Sequence, residues 1–133
     1  VPEHVTHGER LAVISKDLVG LHTRYYGKGP VAAKTYLVDD AVICVLRDGF
    51  TTVEKTLIAE GQPDAVHQIR STFQSAMKAQ FIGAVEAAMD RKVLAYMSQI
   101  HVAPDLAVEF FLLESGEEAI ARHEHELVED DEG

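Results

Sequence analysis

The chain is expected to fold as an α+β domain in the order α-β-β-α-α-β-β, with a four-stranded antiparallel sheet packed on a long helix. Three observations lead there. Apolar residues recur at helical spacing in two stretches, one before Gly27 and one after Pro63. Two pairs of strand-like segments are each joined by a few turn residues, Asp39-Asp40 in the first pair and Ala103-Pro104-Asp105 in the second. Strands joined so tightly pair antiparallel, because a parallel pair needs a crossover of about a dozen residues or more.

Thr6 and Glu9 have the spacing of a capping box, so a helix should start there. Leu11, Ile14, Leu18, Leu21 and Tyr25 follow at alternating steps of three and four, one narrow apolar stripe. Such a stripe suits packing on the protein's own sheet better than a coiled-coil seam, since so few heptads are marginal for a free-standing coil. The helix runs into Tyr25-Tyr26-Gly27-Lys28-Gly29-Pro30, a hinge from which a strand leaves. Gly27 supplies the usual left-handed stop, and Pro30 bars a return to helix while holding Gly29 extended.

Val31 to Val38 alternates as a strand, with Val31, Ala33, Thr35 and Leu37 on one face and Lys34 and Tyr36 on the other. Ala41 to Leu46 returns as its hairpin partner, and Arg47-Asp48-Gly49 turns the chain again. Thr51 and Glu54 form a second capping box, so a short helix should run to Gly61. Pro63 restarts a helix at its favoured first position, and Val66, Ile69, Phe73, Met77, Phe81, Val85 and Ala88 keep its period without a break. Gly83 within this helix reads as a mark of close backbone packing. Val93 to Val102 and Leu106 to Leu113 complete the second hairpin.

The strands are apolar on both faces: Ile43 and Val45 alternate with Val42, Cys44 and Leu46, and Phe111 and Leu113 with Val108, Phe110 and Leu112. A half-solvated antiparallel sheet would alternate more sharply. Either the first helix covers the face opposite the long helix, or a second copy of the chain does, and a homodimer is therefore expected.

The length of 133 residues suits one domain, placed at 6–114, and supports a core without staples. The formal charge of −10 is concentrated at the C-terminus: from Glu114 onward nine acidic residues face Arg122 alone. Residues 115–133 therefore read as an acidic tail, a frayed helix at most and partly disordered. Such a distribution repels nucleic acid and anionic lipid, so no nucleic-acid partner is expected. One cysteine allows no internal disulfide, and a reducing cytoplasm is the default. The longest unbroken apolar run, Ala41 to Leu46, is far short of a membrane span, so no direct membrane insertion is expected. The sequence starts at Val1 rather than Met, and a processed start and an excerpt from a longer chain both stay open.

Catalytic candidates are weak. Cys44 lies between Ile43 and Val45 on a core strand, where a thiol is structural. Gly27-Lys28-Gly29-Pro30 has the wrong length for a phosphate loop and precedes a strand. His123 and His125 are two apart, not four, and His4 and His7 lie at the other end, so no metal and no cofactor are expected. Asp105 and Glu109 do not make a catalytic carboxylate pair by position. What survives is a basic set, Arg24, Lys28 and Lys34 around the hinge with Lys55 and Arg70 on the following helices. With the start of the short helix nearby it could hold an anion or a partner, or be ordinary surface charge paired with Glu54, Asp48 or the acidic tail.

Taken together, Gly27-Lys28-Gly29-Pro30 before a strand, Asp48-Gly49-Phe50-Thr51 followed by Glu54-Lys55 and Leu57, Arg70 in the long helix, and Pro104-Asp105 before a strand with Val108 and Phe110 resemble the MpsC-like family of small bacterial domains. The resemblance spans about Leu11 to Glu114. It implies an accessory cytoplasmic subunit of a proposed sodium-translocating, membrane-potential-generating system, and it carries no accepted catalytic residues. The expected function is thus a non-enzymatic accessory or regulatory subunit acting through homodimerisation and a protein partner, linked to a membrane ion-translocating system. The alternative is an anion or small-metabolite sensor or enzyme using the basic set.

Overall fold

The computed structural model describes residues 6–132, with side chains as far as Val128. Helix α1 (His7–Tyr26) leads into the hairpin β1 (Ala32–Val38) and β2 (Ala41–Arg47). Helices α2 (Thr52–Ala59) and α3 (Pro63–Met89) follow, then the hairpin β3 (Val93–His101) and β4 (Leu106–Leu113), and finally α4 (Gly116–Glu132). The sheet is antiparallel throughout in the order β1-β2-β4-β3, so the two hairpins join through their second strands and β1 and β3 are the edges.

The expected starts and stops have physical causes in the structure. Thr6 caps α1 by accepting from the Glu9 amide, and Gly27 ends it at φ 81°. Both halves of the Thr51–Glu54 capping box are made. Gly29 is required by a close approach: a Cβ there would stand 2.0 Å from the Thr23 hydroxyl oxygen and 3.2 Å from the Val19 carbonyl oxygen.

Both long helices lie on one face of the sheet. Ile14 and Leu18 of α1 and Met77, Phe81, Val85, Ala88 and Met89 of α3 pack on Val42, Cys44, Leu46, Phe111 and Leu113 in a single buried cluster. Helix α1 therefore does not cover the opposite face, one of the two arrangements expected, because its stripe packs on β1 and β2 from the same side as α3 and continues past Leu18 into His22. The strands keep their alternation, so Lys34, Tyr36, Val38, Ile43, Val45, Val108, Phe110, Leu112 and Met97 point away from all the described helices.

One reading needs correcting. Gly83 has no atom within 4 Å of where a Cβ would sit, so it is not a close-packing glycine. The acidic segment is helical from Gly116 to Glu132, with an Oγ of Ser115 accepting from the Glu118 amide at 3.1 Å. Acidic Glu117 and Glu118 in its first turn suit the helix dipole, and Arg122 ties it down through Glu114 at 2.8 Å and Glu126 at 3.1 Å.

The two glycines should respond in opposite directions. Gly83→Ala is expected to raise stability by about 0.5–1 kcal/mol by restricting the unfolded chain, whereas Gly29→Ala should lose about 1–3 kcal/mol as Thr23 is displaced. Urea unfolding of both variants checks this, and a destabilising Gly83→Ala would show that the helix needs the glycine for a reason beyond packing.

Candidate functional site

The hinge, the Asp48-Gly49-Phe50-Thr51 turn and the start of β4 converge at one end of the sheet. Lys28 Nζ donates to the Phe50 carbonyl at 3.1 Å, and the Phe50 amide donates to Asp105 Oδ2 at 2.9 Å. The Asp48 amide donates to the Asp105 carbonyl at 3.1 Å. Three segments distant in sequence are thereby held by backbone groups that would otherwise lose their partners on burial.

Behind this joint lies a buried ion pair. Arg70 donates through Nε to Glu54 Oε2 and through Nη2 to Glu54 Oε1, both at 2.6 Å, and Nη2 also reaches the Gly49 carbonyl at 3.0 Å. Glu54 Oε1 accepts from the Thr51 amide at 2.9 Å as well. Arg70 is 4% exposed and Glu54 2%, and the guanidinium lies 4.0 Å from the Tyr26 ring centroid. Burial by itself would raise the Glu54 pKa, but the Arg70 hydrogen bonds, the Thr51 amide and the Arg70 charge together more than reverse it and hold the carboxyl below its usual value. Arg70 shows the mirror case, burial opposing its charge and Glu54 restoring it.

The structure separates the five basic residues. Lys28 and Lys55 come together, and contact with Lys55 pushes the Lys28 pKa down. Arg70 is committed to Glu54 inside the fold. Arg24 stands over the Tyr25 ring at 5.5 Å on the last turn of α1, and Lys34 over Tyr36 at 5.1 Å on the outward face of β1. The cavity beside Arg70, His22, Gly49 and Asp105 is about 10 Å³, too small for any metabolite, so an anion would have to meet Lys28 and Lys55 from outside. Helix α4 begins at the other end of the sheet, with His123 3.7 Å from Asp90. Of the histidines weighed as ligands, His4 lies outside the described residues, and among those described no group of three or more metal-ligating side chains forms.

A second polar centre escaped the sequence reading. Glu109 is fully buried on the inward face of β4, directly across from Cys44 of β2 and Ser98 of β3. Tyr96 donates its hydroxyl to Glu109 Oε2 at 2.6 Å, while Oε1 has no hydrogen bond and faces His22 Nε2 at 3.7 Å. His22 Nδ1 is 2.7 Å from the Leu18 carbonyl, which can only accept, so a neutral His22 carries its proton on Nδ1 and turns a lone pair toward Glu109. Burial pushes Glu109 up to about 7 and His22 down, so both favour their neutral forms. Burial also raises the Cys44 thiol to about 11, which leaves it protonated and unreactive at neutral pH.

Periodicity contained a signal for these residues. Arg70 sits four after Val66 and seven before Met77 on the apolar stripe of α3, His22 four after Leu18 on α1, and Glu109 two before Phe111 on β4. Each is a polar residue at an inward position, where burial without a partner is costly.

Removing one partner of the ion pair should be far worse than removing both. Arg70→Met is expected to lose about 3–5 kcal/mol by stranding Glu54, and adding Glu54→Gln should recover part of it. Denaturant midpoints of the single and double variants test the coupling, and additive losses would contradict it.

Glu109 gives a pH signature. Its folded pKa lies above its unfolded one, so the folded state holds the extra proton and stability falls as pH rises from about 4.5 to about 7. His22 works in the opposite sense, its lowered pKa adding stability as pH rises toward 6.5. Glu109→Gln should therefore be more stable than the parent at pH 8, by about 3 kcal/mol at most, with the advantage shrinking at pH 5. Equal changes at both pH values, measured by urea unfolding, would show that Glu109 does not titrate between them.

No helix among the described residues is long and apolar enough to cross a membrane. Neither a curated protein nor a solved structure matches the chain. One family model does, over residues 6–115, and its description is MpsC, Na+-translocating membrane potential-generating system. The match takes in the hinge, the buried ion pair and the whole sheet, and the chain belongs to the MpsC family.

Proposed function

We propose that this chain is a non-enzymatic, cytoplasmic accessory or regulatory subunit that pairs with a second copy and docks a protein partner, in connection with the membrane system named in its family description. The observation that carries the docking of a partner is the open face of the sheet. Tyr36, Val38, Met97 and Leu112 are 42%, 56%, 59% and 39% exposed there, with Ile43, Val45, Val108 and Phe110 half-buried between them. A contiguous apolar surface of this kind marks a protein contact. Its charged positions are Lys34 and Arg47, with no acid among the strand residues that point the same way. In a chain of net charge −10 that pattern favours an apolar partner surface with an acidic rim, and it disfavours two such faces meeting each other.

The homodimer is tested by multi-angle light scattering, with a two-chain mass expected. A single-chain mass at high concentration would overturn it.

The nearness of Lys28 and Lys55 supports a second reading, an anion or small-metabolite sensor at the hinge. A thermal-shift screen of phosphate, nucleotides and bicarbonate separates the two: a ligand at a hundred times its Kd stabilises by about 2.7 kcal/mol. Under the sensor reading that shift appears and Lys28→Ala removes it, over and above the small fall in basal melting temperature expected from the lost Phe50 hydrogen bond. An empty screen rejects the sensor.

A further inference from the structure

We propose that the second copy joins at the free edge of β1, strand against antiparallel strand, about a two-fold axis through Thr35. The inference rests on the homodimer proposed above and specifies its interface.

The two edges of the sheet differ. β3 is irregular between Val93 and Ala95, which blunts its edge, whereas β1 keeps regular register from Ala32 to Val38. Among the described residues the β1 edge is open on both sides. A groove of about 640 Å³ lies between it and Gly8, Leu11, Ala12 and Ser15 of α1, and another of about 240 Å³ lies against Val45 and Arg47 on the outer face.

Hydrogen-bond parity places the axis. Val38 and Ala41 flank a two-residue hairpin loop and so form a hydrogen-bonded pair, and the alternation then assigns Tyr36 and Lys34 inward to β2 as well. The amides and carbonyls of Ala33, Thr35 and Leu37 are left pointing outward. A two-fold at Thr35 pairs Thr35 with itself and Ala33 with Leu37 of the other copy, which satisfies all six of those groups on each strand.

Side chains agree with that register. Ala33 meets Leu37, Ala32 meets Val38 and Lys34 meets Tyr36 across the axis, so small stands against large and no lysine stands opposite its own copy. The small residues Gly8 and Ala12 border the groove where the two α1 helices would approach. Pairing in this way makes one eight-stranded sheet and merges the two open faces into one docking surface.

Cysteine cross-linking tests the register. Lys34 and Tyr36 of opposite copies form a non-hydrogen-bonded pair, whose Cα atoms are about 4.5 Å apart, a spacing a disulfide can bridge. Lys34→Cys mixed with Tyr36→Cys should give an abundant heterodisulfide on oxidation, and each variant alone much less; Cys44 is fully buried and stays out. Tyr36→Lys, which sets lysine against lysine at two places, should weaken dimerisation about tenfold or more, and Tyr36→Glu should not. A two-chain mass without the heterodisulfide overturns this interface and leaves the homodimer standing. A single-chain mass overturns both.

Discussion

The Glu54–Arg70 pair is the constraint on which the rest of the structure depends. It joins α2 to α3, and through Gly49 and the Thr51 amide it fixes the turn that carries the chain from β2 into α2. Tyr26 stacks on the same guanidinium, so the end of α1 is set by it too. A buried ion pair contributes little net stability by itself, because desolvating two charges offsets most of their attraction. Its value here is directional: bidentate geometry accepts one placement of α3 against α2, where apolar packing would tolerate several.

The second centre, on the same inward side of the sheet, is built on the opposite principle. Glu54 receives a full set of donors and stays charged, whereas Glu109 receives Tyr96 on one oxygen and leaves the other without a well-formed hydrogen bond, 3.7 Å from His22 and beside Ser98. The low dielectric around both groups strengthens a complete network and penalises an incomplete one. Glu109 accordingly holds its proton near neutrality, and the protein carries one saturated carboxylate and one poised carboxylate across its core.

Placing both long helices on one side leaves the other side of the sheet as the surface available for association. The hinge end has less to offer than its glycines suggest. Gly27 ends a helix, Gly29 makes room for Thr23, and Lys28 is tied to Phe50, so what faces outward there is a pair of ammonium groups beside a filled interior. Apolar breadth with two cations on one side, and two cations alone at one end, are the chemical features that a partner or ligand would recognise.

Element order, the Thr6 cap, the Thr51–Glu54 capping box, the hinge and the two hairpins were legible in the sequence, because each rests on local chemistry: a hydroxyl three residues from a carboxylate, a glycine after a stripe, alternation of period two. Arg70, His22 and Glu109 were legible only as polar residues at inward positions, since their side-chain partners lie 13 or more residues away and spacing within one element says nothing about them. The basic set looked like one cluster because its members are neighbours of the hinge in sequence or on facing elements, yet strand alternation sends Lys34 outward while α3 draws Arg70 inside. By itself, then, the sequence determined which elements form and where they stop. Only the tertiary structure decided that both helices share one face and which charges are consumed, because both follow from long-range packing, where burying Arg70 with Glu54 and Leu18 with Phe81 outweighs any local preference.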